Sequence, residues 1–220
     1  MKKYTAVVFD MDGTLLDTLQ DLGDCMNRVL DRGGYPTHPV EAYKYFVGDG
    51  IRNLVKRVLP AADREESTIE RLQAEMTAEY GAHWADGTDL YPGISVLLDE
   101  LARRKVRRAI LSNKPHEFTT VMAERYFSPW RFDPVLGARD GVPSKPDPAA
   151  ALEICSRWRL DPGEVLYAGD TNTDMQTARR AGMFALGVLW GFRTRQELEE
   201  NGAQSVIALP QQMLSFFRSP

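Results

Sequence analysis

Apolar residues between positions 17 and 85 recur at intervals of three and four, which is typical of amphipathic helices. A plausible helix cap, Asp17-Thr18, precedes the first apolar stripe, and Gly33-Gly34 follows it. The three stripes are Leu19, Leu22, Met26, Val29 and Leu30; Ile51, Leu54, Val55, Val58 and Leu59; and Ile69, Leu72, Met76, Tyr80 and His83. The pattern therefore predicts a block of helices, and no strand, in this part of the chain.

The pattern changes after residues 86–93, where short apolar runs begin to alternate with helical stripes. Strands are predicted at 5–9, ahead of the helical block, and at 107–111, 134–136, 165–168, 184–189 and 205–208 after it. Helices are predicted at 94–104, 117–127, 147–157, 173–181 and 211–217. Strands that alternate with helices form a parallel sheet with helices on both faces.

The predicted fold class is α/β, a three-layer α/β/α core with a parallel sheet and an inserted α-helical domain. The strand at 5–9 must join the sheet of the later strands, because one strand cannot stand alone. The helical block is then an insertion between the first and second strands of that sheet. We expect residues 1–16 and 88–220 to form the core and residues 17–87 to form the insertion.

Composition and charge disfavour several classes of protein but do not indicate a particular activity. The chain has 220 residues and a net charge of −4, which does not suggest a general affinity for nucleic acid or for anionic membranes. Cys25 and Cys155 each lie alone in an apolar helical pattern and are interpreted as buried thiols. The apolar run before Asp10 is too short for a signal peptide, so a cytoplasmic location is expected.

The first strand runs directly into two carboxylates, Asp10 and Asp12, followed by Gly13 and Thr14. Side chains at positions i and i+2 of extended backbone point to the same side. Asp10 and Asp12 should therefore face one spot beyond the strand end. Two adjacent carboxylates repel each other unless a cation or a shared proton intervenes. This pair indicates a divalent metal, an acid/base pair, or both.

Further polar groups follow other strands of the predicted sheet. The second strand leads into Ser112-Asn113-Lys114, a later strand ends in Gly169-Asp170 with Asp174 close behind, and Lys145 precedes a helix. Taken singly, each fits a turn, a helix cap or a solvated surface residue. In open parallel sheets, however, ligands bind at the carboxyl ends of the strands. We therefore expect these groups to converge.

These four segments, in this order, resemble the motifs of the haloacid dehalogenase superfamily. The matching positions are Asp10-Met11-Asp12-Gly13-Thr14, then Ser112, then Lys145, then Gly169-Asp170 with Asp174, and the resemblance covers essentially the whole chain. It implies a Rossmann-like core, a Mg²⁺-dependent phosphatase activity and a helical cap inserted after the first motif.

The resemblance also implies a role for each motif residue. Asp10 would be the nucleophile that forms an aspartyl-phosphate, and Asp12 would be the general acid/base. Mg²⁺ would be held by the Asp10 carboxylate, the Asp12 backbone carbonyl and Asp170, with Asp174 holding a metal-bound water. The groups expected to bind phosphate are Asp12, Gly13, Thr14, Ser112, the Asn113 backbone N–H and Lys145, of which Ser112 and Lys145 also assist catalysis.

The helical insertion, by the same resemblance, would be a mobile cap that selects the substrate. Its hinges are expected near Leu15–Thr18 and Gly87–Tyr91. Arg52 follows the Gly-rich turn Gly48-Asp49-Gly50 at a helix start, a place that favours anions, and could pair with a substrate carboxylate. His83 and His116 are interpreted as packing and surface residues rather than substrate contacts.

Several details resemble phosphoglycolate phosphatases in particular, including the run Gly13-Thr14-Leu15-Leu16-Asp17-Thr18, the turn Val47-Gly48, and Tyr91-Pro92-Gly93. The partner is thus a small phosphorylated metabolite, with phosphoglycolate preferred over a sugar phosphate, a nucleotide or pyrophosphate. The chain is expected to act as a monomer or homodimer.

Three other activities are weighed against this one. Similar mutases carry a histidine in the first cap helix, where this chain has Leu19-Gln20-Asp21-Leu22-Gly23. A dehalogenase would not need Asp12 and the metal. A non-catalytic phosphate-binding module would tolerate the loss of Asp10 or Asp12, and both are present.

Overall fold

The computed structural model of the chain describes residues 3–218. Its strands are β1 (Ala6–Phe9), β2 (Leu16–Asp17), β3 (Asp89–Leu90), β4 (Arg107–Pro115), β5 (Val135–Ala138), β6 (Val165–Gly169), β7 (Phe184–Val188) and β8 (Ser205–Ile207). Its α-helices are α1 (Leu19–Arg32), α2 (Tyr43–Phe46), α3 (Ile51–Val58), α4 (Glu66–His83), α5 (Ile94–Arg103), α6 (His116–Phe127), α7 (Ala149–Trp158), α8 (Asn172–Ala181) and α9 (Arg195–Glu200).

Six strands form one parallel sheet in the order β5-β4-β1-β6-β7-β8, which confirms the predicted α/β fold class. Strand β1 lies between β4 and β6, with Val8 paired to Ala109 on one side and to Tyr167 on the other. The chain therefore continues to one side of β1 through β4 and β5, and later returns to its other side at β6. Ligands of such sheets bind where the strand order reverses, at the carboxyl ends of these central strands.

The two faces of the sheet are packed by different helices, because side chains alternate along each strand. Val7 and Phe9 of β1 point to the face covered by α5 and α6, in a core with Leu97 and Met122. The alternate residues of β1 belong to a second core, with residues of α7 and α8 such as Ile154, Met175 and Cys155. Both faces are thus buried, as the near-continuous apolar character of the strands predicts.

Helices α1 to α4 form the helical insertion, which has an apolar core of its own. Met26, Val55 and Leu72 are buried in it, on the stripes that the sequence pattern identified, and Cys25 is buried beside them as predicted. One member of this core, Phe192, comes from the loop after β7 rather than from the insertion. The insertion therefore has a core of its own, against which Phe192 and Phe118 of the α/β core also pack.

The prediction of no strand between residues 17 and 85 is wrong at its first residue, because Asp17 belongs to β2. Strands β2 and β3, two residues each, pair antiparallel with Leu16 opposite Leu90 and Asp17 opposite Asp89. A two-residue strand is too short to show a periodic pattern. The chain passes from the core to the insertion through β2 and returns to the core through β3. Both strands lie within the segments where hinges are expected.

Other differences concern element ends. Strand β4 continues to Pro115, four residues beyond the predicted end, with an irregular register after Leu111. The predicted C-terminal helix is a 3₁₀ helix, Pro210–Phe216, and α9 was not predicted although Thr194 and Glu197 form a capping box at its start. No helix within residues 3–218 has the length and apolar character needed to cross a membrane.

Candidate active site

The ends of β1, β4 and β6 bring the predicted polar residues together. Asp10 follows β1, Ser112 lies in the extended end of β4, and Asp170 follows β6. One carboxylate oxygen from each of Asp10, Asp170 and Asp174 lies within 4.8 Å of the others, and all three residues are buried. We call these three residues the carboxylate cluster.

Lys145 neutralises part of the carboxylate cluster. Its Nζ lies 3.0 Å from Oδ1 of Asp10 and 2.7 Å from Oδ1 of Asp174, and it donates to the carbonyl oxygen of Leu111 at 3.1 Å. Burial alone would lower the pKa of this ammonium, but Asp10 and Asp174 raise it well above its usual value. Lys145 is therefore held in its charged form between two carboxylates.

Asp10 is the most crowded of the carboxylates. The backbone N–H of Met11 donates to its Oδ1 at 2.7 Å, and Lys145 contacts the same oxygen, so Oδ2 is the oxygen left to face a substrate. Burial raises the pKa of Asp10 well above its usual range, and the charge of Asp174 raises it further, against the opposing effect of Lys145. Three carboxylates and one lysine leave this buried site with excess negative charge.

Asp170 is oriented by groups on both of its oxygens. Thr14 Oγ1 donates to Oδ1 at 2.7 Å, and the backbone N–H of Phe192 donates to Oδ2 at 2.9 Å. Burial and the charge of Asp174 raise the pKa of Asp170 to about 7. Gly13 has φ of +80°, and a Cβ at this position would collide with the Asp170 carboxylate. Gly13 and Thr14, predicted as phosphate-binding residues, thus contact the metal-ligand candidate in this structure.

The carboxylate cluster fits a Mg²⁺ ion. Carboxylate oxygens are the ligands that Mg²⁺ prefers, and a divalent cation would offset the excess negative charge. Asp10 and Asp170 are the better direct ligands, because Asp174 has a charged partner on one oxygen and two donors on the other, whereas each oxygen of Asp170 accepts from a single uncharged donor. Oδ1 of Asp174 pairs with Lys145 and its Oδ2 accepts from the N–H and Oγ1 of Thr171, at 3.0 and 2.6 Å. Asp174 suits the outer position predicted for it.

Asp12 faces a different partner from Asp10. Both oxygens of its carboxylate lie 3.0 Å from Nζ of Lys114, and its carboxylate is not part of the carboxylate cluster. Lys114 Nζ also donates to the hydroxyl of Tyr80 at 3.0 Å and lies 4.5 Å from the centre of the Tyr80 ring. Tyr80 belongs to α4, so this contact joins the core to the helical insertion.

The sequence analysis did not assign Lys114 a role, although the spacing of Lys114 from Ser112 indicated one. Ser112 and Lys114 are two residues apart in extended backbone, so their side chains share one side of the strand end. Ser112 Oγ accepts from the backbone N–H of Lys114 at 3.2 Å. What the sequence could not show is the opposing Tyr80, which is 34 residues away.

Asn113 binds through its side chain to both parts of the molecule. Its Nδ2 donates to the carbonyl oxygens of Gly48 and Lys145 at 3.1 and 3.0 Å, and its Oδ1 accepts from the Lys145 N–H at 2.8 Å. Asn113 therefore fixes the loop that carries Lys145 and contacts the turn before α3. Its predicted role, phosphate binding through the backbone N–H, remains a prediction.

A cavity of about 50 Å³ lies between the strand ends and the helical insertion. Its floor includes Asp10, Asp12, Ser112, Asn113 and Lys114, and its walls are apolar side chains from both parts of the molecule: Leu22, Val47, Ile51, Leu54, Met76, Tyr80 and Phe118. The predicted nucleophile and the predicted acid/base thus line the same cavity.

Arg52, His83 and His116 do not line this cavity. Arg52 forms an ion pair with Glu66 and lines a wider groove of about 700 Å³, which also includes Lys145. His83 lies 2.8 Å from Asp86, and Nδ1 of His116 accepts from the Gly137 N–H at 3.1 Å. The predicted contact of Arg52 with substrate stays a prediction.

The loop after β7 is a further part of the site that sequence reasoning missed. Trp190 Nε1 donates to the carbonyl oxygen of Thr14 at 2.9 Å, Phe192 binds Asp170 through its N–H, and Arg193 donates to carbonyl oxygens of Lys44 and Val47 in the insertion. The position of this loop at a fourth strand end is the signal that could have identified it.

Comparison with known proteins gives consistent matches over the whole chain. The family model of haloacid dehalogenase-like hydrolases matches residues 7–188. A phosphoglycolate phosphatase of Pseudomonas putida is 31% identical over 205 residues, 91% of this chain and 75% of that protein. A phosphoglycolate phosphatase of Psychrobacter arcticus is 30% identical over 203 residues, 88% of this chain and 87% of that protein.

A crystal structure from Lactobacillus delbrueckii subsp. bulgaricus, of a protein provisionally assigned as a phosphoglycolate phosphatase, is similar in fold. It has a TM-score of 0.93 and 30% sequence identity, and the alignment covers 99% of this chain and 100% of that one.

Proposed function

Because the chain belongs to the haloacid dehalogenase-like hydrolase family, we propose that it is a Mg²⁺-dependent phosphatase of a small phosphorylated metabolite, most simply 2-phosphoglycolate. The observation that carries this proposal is the carboxylate cluster with Lys145, whose member Asp10 also lines the cavity. The family resemblance supports an aspartyl-phosphate mechanism for that arrangement.

The first step would be attack by Oδ2 of Asp10 on the phosphorus of the ester. A bond forms between this oxygen and phosphorus, and the bond from phosphorus to the ester oxygen breaks. The carboxyl group of Asp12, on the cavity floor, would give its proton to the departing alkoxide. The products of this step are the free alcohol and an aspartyl-phosphate on Asp10.

In the second step a water molecule would attack the same phosphorus and give its proton to the Asp12 carboxylate. The phosphorus–Asp10 bond breaks, which releases inorganic phosphate and restores both aspartates. Lys145 would keep Asp10 anionic and attract the phosphate, while Ser112 and the Asn113 N–H bind its oxygens. Mg²⁺, held by Asp10, Asp170 and the Asp12 carbonyl oxygen, would supply charge that offsets repulsion between nucleophile and phosphate.

We further propose that residues 17–87 act as a cap. The apolar walls that Leu54 and Met76 supply would exclude bulk water from the reacting phosphate. The cavity of about 50 Å³ is far below the roughly 300–1,000 Å³ typical of sites for drug-sized ligands. This size favours a leaving group of a few heavy atoms over a sugar or a nucleoside. The expected cytoplasmic location and monomeric or homodimeric state stay predictions.

Phosphate release from a panel of esters tests the proposal. With Mg²⁺ we expect 2-phosphoglycolate to be hydrolysed with a higher kcat/KM than glucose 6-phosphate, AMP or pyrophosphate, and EDTA to stop all turnover. Asp10→Asn removes the nucleophile and should lower kcat by at least about 10⁴-fold. Asp31→Asn, an exposed position in α1, is the matched control and should not change kcat.

The outcomes separate the reaction from the substrate. Turnover retained by Asp10→Asn would overturn the phosphatase mechanism. A low rank for 2-phosphoglycolate, with Asp10→Asn still inactive, would overturn only the choice of substrate.

A further inference from the structure

Lys114 is a buried cation to which the proposed reaction assigns no step. Its side chain is 5% exposed, and its partners are the Asp12 carboxylate and the hydroxyl and ring of Tyr80. Burial alone would lower the pKa of this ammonium, but Asp12 and Tyr80 raise it above its usual value. A charged lysine is thus kept at the boundary between the α/β core and the helical insertion.

Lys114 lines the cavity, where its ammonium group can bind an anion. Of the described residues that line the cavity, Lys114 alone carries a positive charge, and the surrounding walls are mostly apolar. The first turn of α3, at Gly50 and Ile51, also lines the cavity, and the N–H groups at a helix start favour an anion. An anionic group on the leaving-group side of a substrate would meet the Lys114 ammonium, which is the one charged group of positive sign among these lining residues, and the start of α3.

The geometry of Lys114 permits such a ligand. An ammonium group has three N–H donors, and Tyr80 accepts from one of them. The two Asp12 oxygens, each 3.0 Å from Nζ, also accept from the ammonium, so a substrate anion would share these donors with Asp12. A substrate carboxylate can share the ammonium with Asp12, whereas the same carboxylate among apolar walls without a cation would be strongly disfavoured.

We propose that Lys114, positioned by Tyr80 of the insertion, determines specificity by binding a carboxylate or similar anion on the leaving group of the substrate. This inference rests on the proposed phosphatase function, and it names the residue that selects among phosphate esters. Lys114 belongs to the α/β core and Tyr80 belongs to α4. The binding site that they form is therefore complete only when α4 lies over the strand ends.

A pair of substrates that differ in one group provides the test. 2-Phosphoglycolate carries a carboxylate where 2-hydroxyethyl phosphate carries an uncharged hydroxymethyl group. We expect wild-type protein to prefer 2-phosphoglycolate in kcat/KM, and Lys114→Met to reduce this preference by about 100-fold. Tyr80→Phe keeps the ring and removes the hydroxyl, and should reduce the preference by about tenfold.

A second readout does not depend on turnover. Glycolate should inhibit wild-type protein competitively and should inhibit Lys114→Met at least about tenfold more weakly, whereas ethylene glycol should inhibit neither. Lys105→Met, at an exposed lysine after α5, is the matched control and should behave as wild type in both assays.

Several results would overturn the inference while the phosphatase reaction stands. An equal loss on both substrates in Lys114→Met would show that Lys114 only positions Asp12. If the wild-type protein does not prefer the carboxylate ester, the inference is overturned without any variant, even where Lys114→Met fails to fold. A preference lost in Arg52→Ala but kept in Tyr80→Phe would assign the selection to Arg52.

Discussion

Two buried lysines, Lys145 and Lys114, lie in two regions of the site that differ in their partners and in their position relative to the insertion. Lys145 lies among the carboxylates of the α/β core, 3.0 Å from Asp10 and 2.7 Å from Asp174. Lys114 lies at the cavity, between Asp12 of the core and Tyr80 of the insertion. In the proposed mechanism the first region contains the groups that break the phosphate ester. In the inference above, the second region selects among esters.

This difference explains why the reaction was easier to infer than the substrate. The groups around Lys145 come from short segments at strand ends, and their chemistry follows from the residue types. The apolar walls of the cavity come largely from α1, α3, α4 and α6, which are distant in sequence. Variants of the two regions should therefore fail in different ways.

The largest effect is expected in Lys145→Met. The change removes the cation that Asp10 and Asp174 share, so kcat/KM should fall by about 10³-fold, and equally for 2-phosphoglycolate and 2-hydroxyethyl phosphate. In EDTA the free energy of unfolding should also fall by about 3–5 kcal/mol, because two buried carboxylates lose their partner. Urea unfolding and phosphate release measure the two effects.

The substrate comparison is the decisive part of that experiment. A selective loss on 2-phosphoglycolate in Lys145→Met would break the distinction between the two lysines. Lys105→Met, which removes an exposed lysine, should leave both measurements unchanged.

A smaller effect is expected from a matched pair of glycines. Gly13 and Gly48 both have positive φ, at +80° and +111°, so alanine at either position should cost about 1 kcal/mol of stability. A Cβ at Gly13 would collide with Asp170, whereas a Cβ at Gly48 would lie 3.6 Å from Thr171 Cγ2, an ordinary contact. Gly13→Ala should therefore weaken Mg²⁺ binding by about 10- to 100-fold, and Gly48→Ala should leave it within about threefold.

Calorimetric titration of each variant with Mg²⁺ measures this difference without any substrate. Equal Mg²⁺ affinities in Gly13→Ala and wild type would mean that Asp170 does not hold the ion. A large loss in Gly48→Ala would mean that the turn before α3 also supports the metal site.

The sequence was informative where a function is carried by neighbouring residues. Asp10-Met11-Asp12-Gly13-Thr14 and Gly169-Asp170 each follow a strand that an apolar run identifies, and the order of strands and helices implies that these ends meet. The parallel sheet and the family were predicted correctly for the same reason. Three of the four helices of the insertion, α1, α3 and α4, were predicted because each carries an apolar stripe, whereas the four-residue α2 was not predicted.

The sequence was uninformative where a function depends on contacts between distant segments. The pairing of Lys114 with Tyr80 depends on how α4 packs over the strand ends. No local sequence pattern predicts that packing. Phe192 is one apolar residue in a loop, yet it binds Asp170 and enters the core of the insertion. Arg52 was predicted from its place at a helix start, but its side chain pairs with Glu66 on the surface of the insertion.

The smallest effect concerns the two cysteines, one in each packed unit. Cys25 lies in the apolar core of the insertion and Cys155 in the core under α7. Burial raises the pKa of both thiols to about 11, so both should react with a thiol reagent at pH 8 at least about 100-fold more slowly than free cysteine. The difference between them should emerge only as the protein is loosened.

In rising urea we expect Cys25 to be labelled before Cys155, because the insertion has a core separate from that of the sheet and the ribbon of β2 and β3 at its two ends pairs only two residues of each strand. Mass spectrometry of the labelled peptides measures each site, and Cys25→Ser and Cys155→Ser variants identify the two signals. Simultaneous labelling at every urea concentration would mean that insertion and core unfold together. The contacts of Phe192 and Asn113 with the insertion would then outweigh its separate core, and the division at residues 17–87 would describe the sequence but not the stability of the molecule.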